Sequence, residues 1–169
     1  MTNNSIPQVD LSHFILGNDQ QKTAFVQKLG KAYEEVGFVS VINHGISDAD
    51  IDQLYKQVQS FFSLPSEIKY TYEIEGLAGQ RGYTSFGREH AKGSDAPDLK
   101  EFYQWGQTVL DDDPIKDQYP NNVKVKELPV FNTTITEAYR SFERAGGYLL
   151  RAIAIYLNLP ENYFDAKIH

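Results

Sequence analysis

Cysteine is absent from this 169-residue chain, which excludes disulfides, thiolate metal sites and cysteine nucleophiles. Positive charge is scarce. Sixteen Lys and Arg against 23 Asp and Glu give a formal charge of −7, which argues against a broad nucleic-acid footprint built on clustered cations. Lys124 and Lys126 flank a valine and read as part of a solvated loop. No apolar run reaches the length needed to span a bilayer, and Met1 to Pro7 is polar, without the apolar stretch of a secretory signal. The expected setting is therefore cytoplasmic, with neither nucleic acid nor membrane as a partner. Aromatic side chains are abundant instead. Eleven Tyr and 10 Phe in a 41% hydrophobic composition suit a packed core, not a disordered tail. The length suits one domain, so residues 1–169 are read as a single domain of mixed α/β (α+β) class.

Local patterns place the elements. Ile6 to Leu11 alternates around Val9 and suits a half-buried strand. Asn18 or Asp19 can cap a helix whose stripe is Phe25, Leu29, Tyr33 and Val36, with Gly37 as its stop. Phe38 to Ile42 is β-rich and reads as a buried strand. Asn43-His44-Gly45 is a turn. Ser47 and Asp50 fit a capping box for a second helix carrying Ile51, Leu54, Tyr55, Val58, Phe61 and Phe62. Pro65 opens a short third helix through Tyr70. Gly76, Gly79 and Gly82 punctuate the approach to a candidate strand, Arg81 to Phe86, and Leu99 to Trp105 forms another. Asp111 to Asp113 reads as a solvated acidic loop, since three adjacent carboxylates cannot converge on one ion. Asn132 to Leu157 predicts one long helix, with Gly146-Gly147 marking close packing or a bend.

A reaction centre is harder to find. The chain has four histidines. A single-strand iron site needs His-x-Asp or His-x-Glu, because residues two apart point to the same side. His13 is followed by Ile15 at that spacing, His44 by Ile46 and His90 by Lys92, while His169 is the last residue. No Gly-x-Ser-x-Gly elbow and no phosphate-binding loop is present. His44 suits a turn-shaping role between Asn43 and Gly45 better than a chemical one. The residues alone name no reaction.

Four stretches in order carry more. They are Ile6-Pro7-Gln8-Val9-Asp10-Leu11; Gly37 to Ile46 followed by a capped helix and Phe61-Phe62-Ser63-Leu64-Pro65; Arg81 to Glu89 with Asp98-Leu99-Lys100-Glu101-Phe102; and the long helix ending Leu157 to Phe164. Together they resemble the N-terminal region of the isopenicillin N synthase-like iron(II)/2-oxoglutarate-dependent oxygenases. That resemblance implies a distorted double-stranded β-helix, or jelly roll, of which this chain carries the N-terminal helical region and first strands. It also implies that the iron ligands and the Arg-x-Ser that holds 2-oxoglutarate lie on later strands. The expected parent is an Fe(II)/2-oxoglutarate-dependent dioxygenase oxidising a small organic substrate, although some family members work without 2-oxoglutarate. The catalytic C-terminal portion is expected as the missing partner of the same chain. This segment alone is expected to bind neither cofactor, to hold no catalytic or metal residue, and to be inactive. Its role would be to shape the substrate mouth, with Arg81, Tyr83, Phe102 and Gln104 as the candidate lining residues. The alternative is a stand-alone binding or interaction module derived from the same family.

Overall fold

A computed structural model describes residues 5–88 and 97–168. Glu89, His90 and His169 lie outside the described residues. The elements in order are β1 (Gln8–Asp10), α1 (Ser12–Ile15), α2 (Asp19–Glu35), β2 (Ser40–Ile42), α3 (Asp48–Phe62), α4 (Ser66–Tyr70), β3 (Gly82–Thr84), β4 (Phe102–Gln104), a 3-10 turn at Lys116–Gln118, and α5 (Pro129–Tyr156). None of the helices among the described residues is long and apolar enough to cross a membrane. The chain divides into two compact units, Met1–Ile46 with Ser141–His169 and Ser47–Arg140.

In the first unit, β1 pairs parallel to β2 with Val9 opposite Val41, and α1 and α2 form the crossover. Asn18 caps α2: its side chain accepts from the Gln21 amide while the Gln21 side chain accepts from the Asn18 amide, a reciprocal box that satisfies two free donors. Gly37 ends the helix at a φ of +81°, donating its N–H back to the Ala32 carbonyl, as the sequence predicts. Val9, Leu11, Phe14, Phe25, Val26, Leu29 and Ala152 make the core, each large side chain contributing about 1.5–3 kcal/mol by leaving water.

Two expectations shift here. The buried face of α2 is Phe25, Val26, Leu29, Gly30 and Ala32, whereas Tyr33 and Val36 are exposed. The reason is a close crossing, in which a Cβ on Gly30 would sit 2.3 Å from the Tyr156 ring. The strand expected over Phe38–Ile42 covers only Ser40–Ile42, and Phe38 and Ile42 are exposed. With β1 as its only paired neighbour among the described residues, β2 lacks the flanking strands that would bury it.

In the second unit, Ser47 caps α3 through the predicted box with Asp50, and α4 follows Pro65. Strands β3 and β4 pair antiparallel with Tyr83 opposite Tyr103, and both are shorter than the sequence suggests. Phe61 is the hub of this core. Its ring meets Tyr103 at 4.6 Å, Phe62 at 5.2 Å, Phe131 at 5.4 Å and Tyr83 at 5.8 Å between centroids, the offset and edge-on spacings that aromatic quadrupoles favour. Helix α5 begins at Pro129, three residues before the predicted start, where a proline costs no hydrogen bond. Its Gly146-Gly147 pair is not a close-packing site, because a Cβ at either would meet nothing within 4 Å.

Candidate functional site

The β3–β4 hairpin and the loop leading into it bring several charged groups of the second unit together. Glu101, just before β4, accepts from the Tyr83 hydroxyl at 2.5 Å and from the Lys69 ammonium at 2.7 Å, both on one carboxylate oxygen. Lys69 is only 6% exposed. Burial alone would push the Glu101 pKa up, but the hydrogen bonds from Lys69 and Tyr83 and the charge on Lys69 outweigh it and hold the carboxyl below its ordinary value. The same burial and the same carboxylate push the Tyr83 hydroxyl up, so it stays a donor.

With Glu101 committed, Arg81 has no carboxylate partner among the described residues. Its guanidinium lies flat on Gly106, where a Cβ would stand 2.1 Å from Cζ and Nη2, so glycine there leaves the room the side chain occupies. Nη1 donates to the Gln80 carbonyl at 2.7 Å, while Nε is buried with no hydrogen-bond partner among the described residues. Buried polar groups are rarely left so. Beside Arg81 lies a cavity of about 410 Å³ whose wall includes Glu73, Ile74, Glu75, Tyr83 and Arg88.

Of the four candidate residues, Arg81 and Tyr83 meet at this cavity. Tyr83 is 2% exposed, with its ring in the aromatic core. Phe102 and Gln104 are not part of that wall. The register sets them opposite Thr84 and Gly82, on the other face of the hairpin from Tyr83. Phe102 is half-buried beneath the Lys100 ammonium, 5.7 Å from its ring centre, and Gln104 is exposed. Glu73, Glu75 and Gly106 belong to the same surroundings, and no local sequence pattern marks them. The glycine punctuation before Arg81 was the available signal, since it marks a loop folded tightly onto the strand.

His13 Nε2 stands 3.9 Å from Asp10, and His44 Nδ1 accepts from the Ile46 amide at 3.2 Å, the turn-shaping role its setting suggests. Among the described residues no three metal-ligating side chains converge. Iron(II) finds no fitting ligand set there.

Comparison with known proteins decides the family. The profile described as non-haem dioxygenase in morphine synthesis, N-terminal, matches residues 6–127. This chain belongs to that family. Relatives of this dioxygenase N-terminal region include a 2-oxoglutarate-dependent dioxygenase of Aspergillus rugulosus, 27% identical over 98% of this chain and 53% of its own. A proline hydroxylase of Petromyces alliaceus is 32% identical over 94% of this chain and 50% of its own. The crystal structure of a 2OG-Fe(II) oxygenase family protein from Caulobacter crescentus superposes with a TM-score of 0.82 at 34% identity, covering 95% of this chain and 51% of that one. The chain thus spans about half the length of the relatives it matches.

Proposed function

We propose that this dioxygenase N-terminal region forms the substrate mouth of a cytoplasmic Fe(II)/2-oxoglutarate-dependent dioxygenase acting on a small organic substrate. Both cofactors would be held by residues outside this segment, in the C-terminal jelly-roll portion, and the segment alone would be inactive. Iron(II) and 2-oxoglutarate, when bound, supply the oxidising chemistry, and this region's part is to bind and orient the substrate.

The observation that carries the reading is the seat of Arg81, a side chain at the wall of a cavity whose guanidinium is fixed on Gly106, with its buried Nε unsatisfied among the described residues. A side chain already held in place loses little entropy on binding. The planar fork of Arg suits a substrate carboxylate. Tyr83 supports the strand from beneath, pinned by Glu101, while Phe102 and Gln104 lie on the other face of the hairpin and would contribute to the mouth only away from this cavity.

Steady-state kinetics of Arg81→Ala in the complete protein test it. Loss of a charged hydrogen bond should raise KM for the primary substrate by a factor worth about 1.5–3 kcal/mol, with 2-oxoglutarate affinity unchanged. Arg81→Lys should recover little, since an ammonium lacks the fork. An unchanged KM would rule the anchor out.

A further inference from the structure

The cavity beside Arg81 carries more charge than an anion anchor requires. Two cations and two anions line it, Arg81, Arg88, Glu73 and Glu75. Glu73 and Arg88 neutralise each other through a 2.7 Å ion pair. That leaves the Arg81 guanidinium and the Glu75 carboxylate, and neither is paired with another side chain among the described residues. The wall between them is built on left-handed backbone. Gly76, Ala78 and Gly79 all have positive φ, +84°, +47° and +74°, and a Cβ on Gly79 would already stand 3.0 Å from Thr84 Oγ1. An alanine in the left-handed region persists only where its surroundings over-determine it, and such strain clusters at ligand clamps.

Building on the substrate-mouth reading, we propose that this cavity selects a zwitterionic substrate, a free amino acid whose carboxylate pairs with Arg81 and whose ammonium pairs with Glu75. A simple carboxylic acid would satisfy Arg81 but lie beside the unneutralised Glu75. A simple amine would meet the reverse problem. Only a ligand bearing both charges neutralises both groups, and a site with committed polar partners discriminates strongly against analogues that lack one of them. Ile74 and Tyr83 offer the apolar part of the wall for the substrate's side chain.

Isothermal titration calorimetry on the complete protein tests this. The probes are L-proline, L-leucine, L-arginine and L-phenylalanine, each alongside its N-acetyl and methyl-ester forms. At least one free amino acid should bind, and both of its blocked forms should bind about tenfold or more weakly, the loss of one charged hydrogen bond. Glu75→Gln, its fold checked by thermal melting, should weaken the amino acid by a similar factor and leave the N-acetyl form unchanged. Equal binding of the N-acetyl form, indifference to Glu75→Gln, or no binding by any free amino acid would overturn the proposal. Turnover of 2-oxoglutarate by the same protein separates the two readings. Zwitterion binding without turnover sinks the dioxygenase assignment and leaves this site standing, and turnover of a substrate whose affinity ignores Glu75 does the reverse.

Discussion

Lys69 holds a charge at 6% exposure, and removing a charge from water costs several kcal/mol unless a partner answers it. Glu101 answers it directly, with the Phe62 carbonyl at 3.4 Å as a weaker second acceptor. Glu101→Leu should therefore destabilise by about 3–5 kcal/mol, because it strands the ammonium. Adding Lys69→Met should return most of that loss. Urea denaturation of the wild type, both single variants and the double variant measures the coupling, and a double variant no more stable than Glu101→Leu would contradict it. The pH dependence follows from the depressed Glu101 pKa. Its contribution is fully present above the unfolded value of 4.5 and is lost as pH falls through the lower folded value. The advantage of wild type over Glu101→Gln should accordingly shrink below that pH. None of this was legible in the sequence, because Lys69, Tyr83 and Glu101 are brought together only by the hairpin and no local pattern links them. Arg81 was legible as a candidate, from the glycines before it. The groups that define its surroundings, Gly106 and Glu75, were not.

Element by element, what could be read was the chemistry confined to a few consecutive residues. Asn18 and Ser47 cap, Gly37 stops and Pro65 starts where their backbone requirements say they should. What covers a helix face is a different matter. On α5 Phe142 is exposed, as is Leu157 just past its end, because periodicity gives a face and not the neighbour that would bury it. The paired glycines of the same helix show the same limit. Gly146 and Gly147 have open space where their Cβ atoms would be, so in the 169-residue chain they cost helix propensity with no packing gain. Gly146→Ala and Gly147→Ala should each stabilise by about 0.5–1 kcal/mol, visible as a rise in melting temperature. A loss of stability in both would show that the helix needs glycine there.

At the scale of the whole molecule, composition indicated a packed aromatic protein but not how its core is divided. The described chain has two cores. One is aliphatic and aromatic around Leu29 and Phe14, and the other is largely aromatic around Phe61. Each belongs to one of the two compact units. The order of residues obscures this, since the first unit takes both the front of the chain and residues 141–169, a pairing of distant segments that no local pattern reports. Helix α5 supplies residues 129–140 to one unit and its remainder to the other. Proteins open in cooperative units that follow such clusters, with free energies that differ between them. Phe61→Leu removes the ring that four other aromatic residues of the second core touch at centroid distances up to 5.8 Å, and should cost about 1–3 kcal/mol. Native-state hydrogen exchange should place that loss on the amides of α3, Tyr83 and Tyr103. Protection at Val26, Leu29 and Val41, in the other core, should fall by much less. An equal fall at both sets of amides would mean that the chain opens as one cooperative body, with its two cores inseparable in stability.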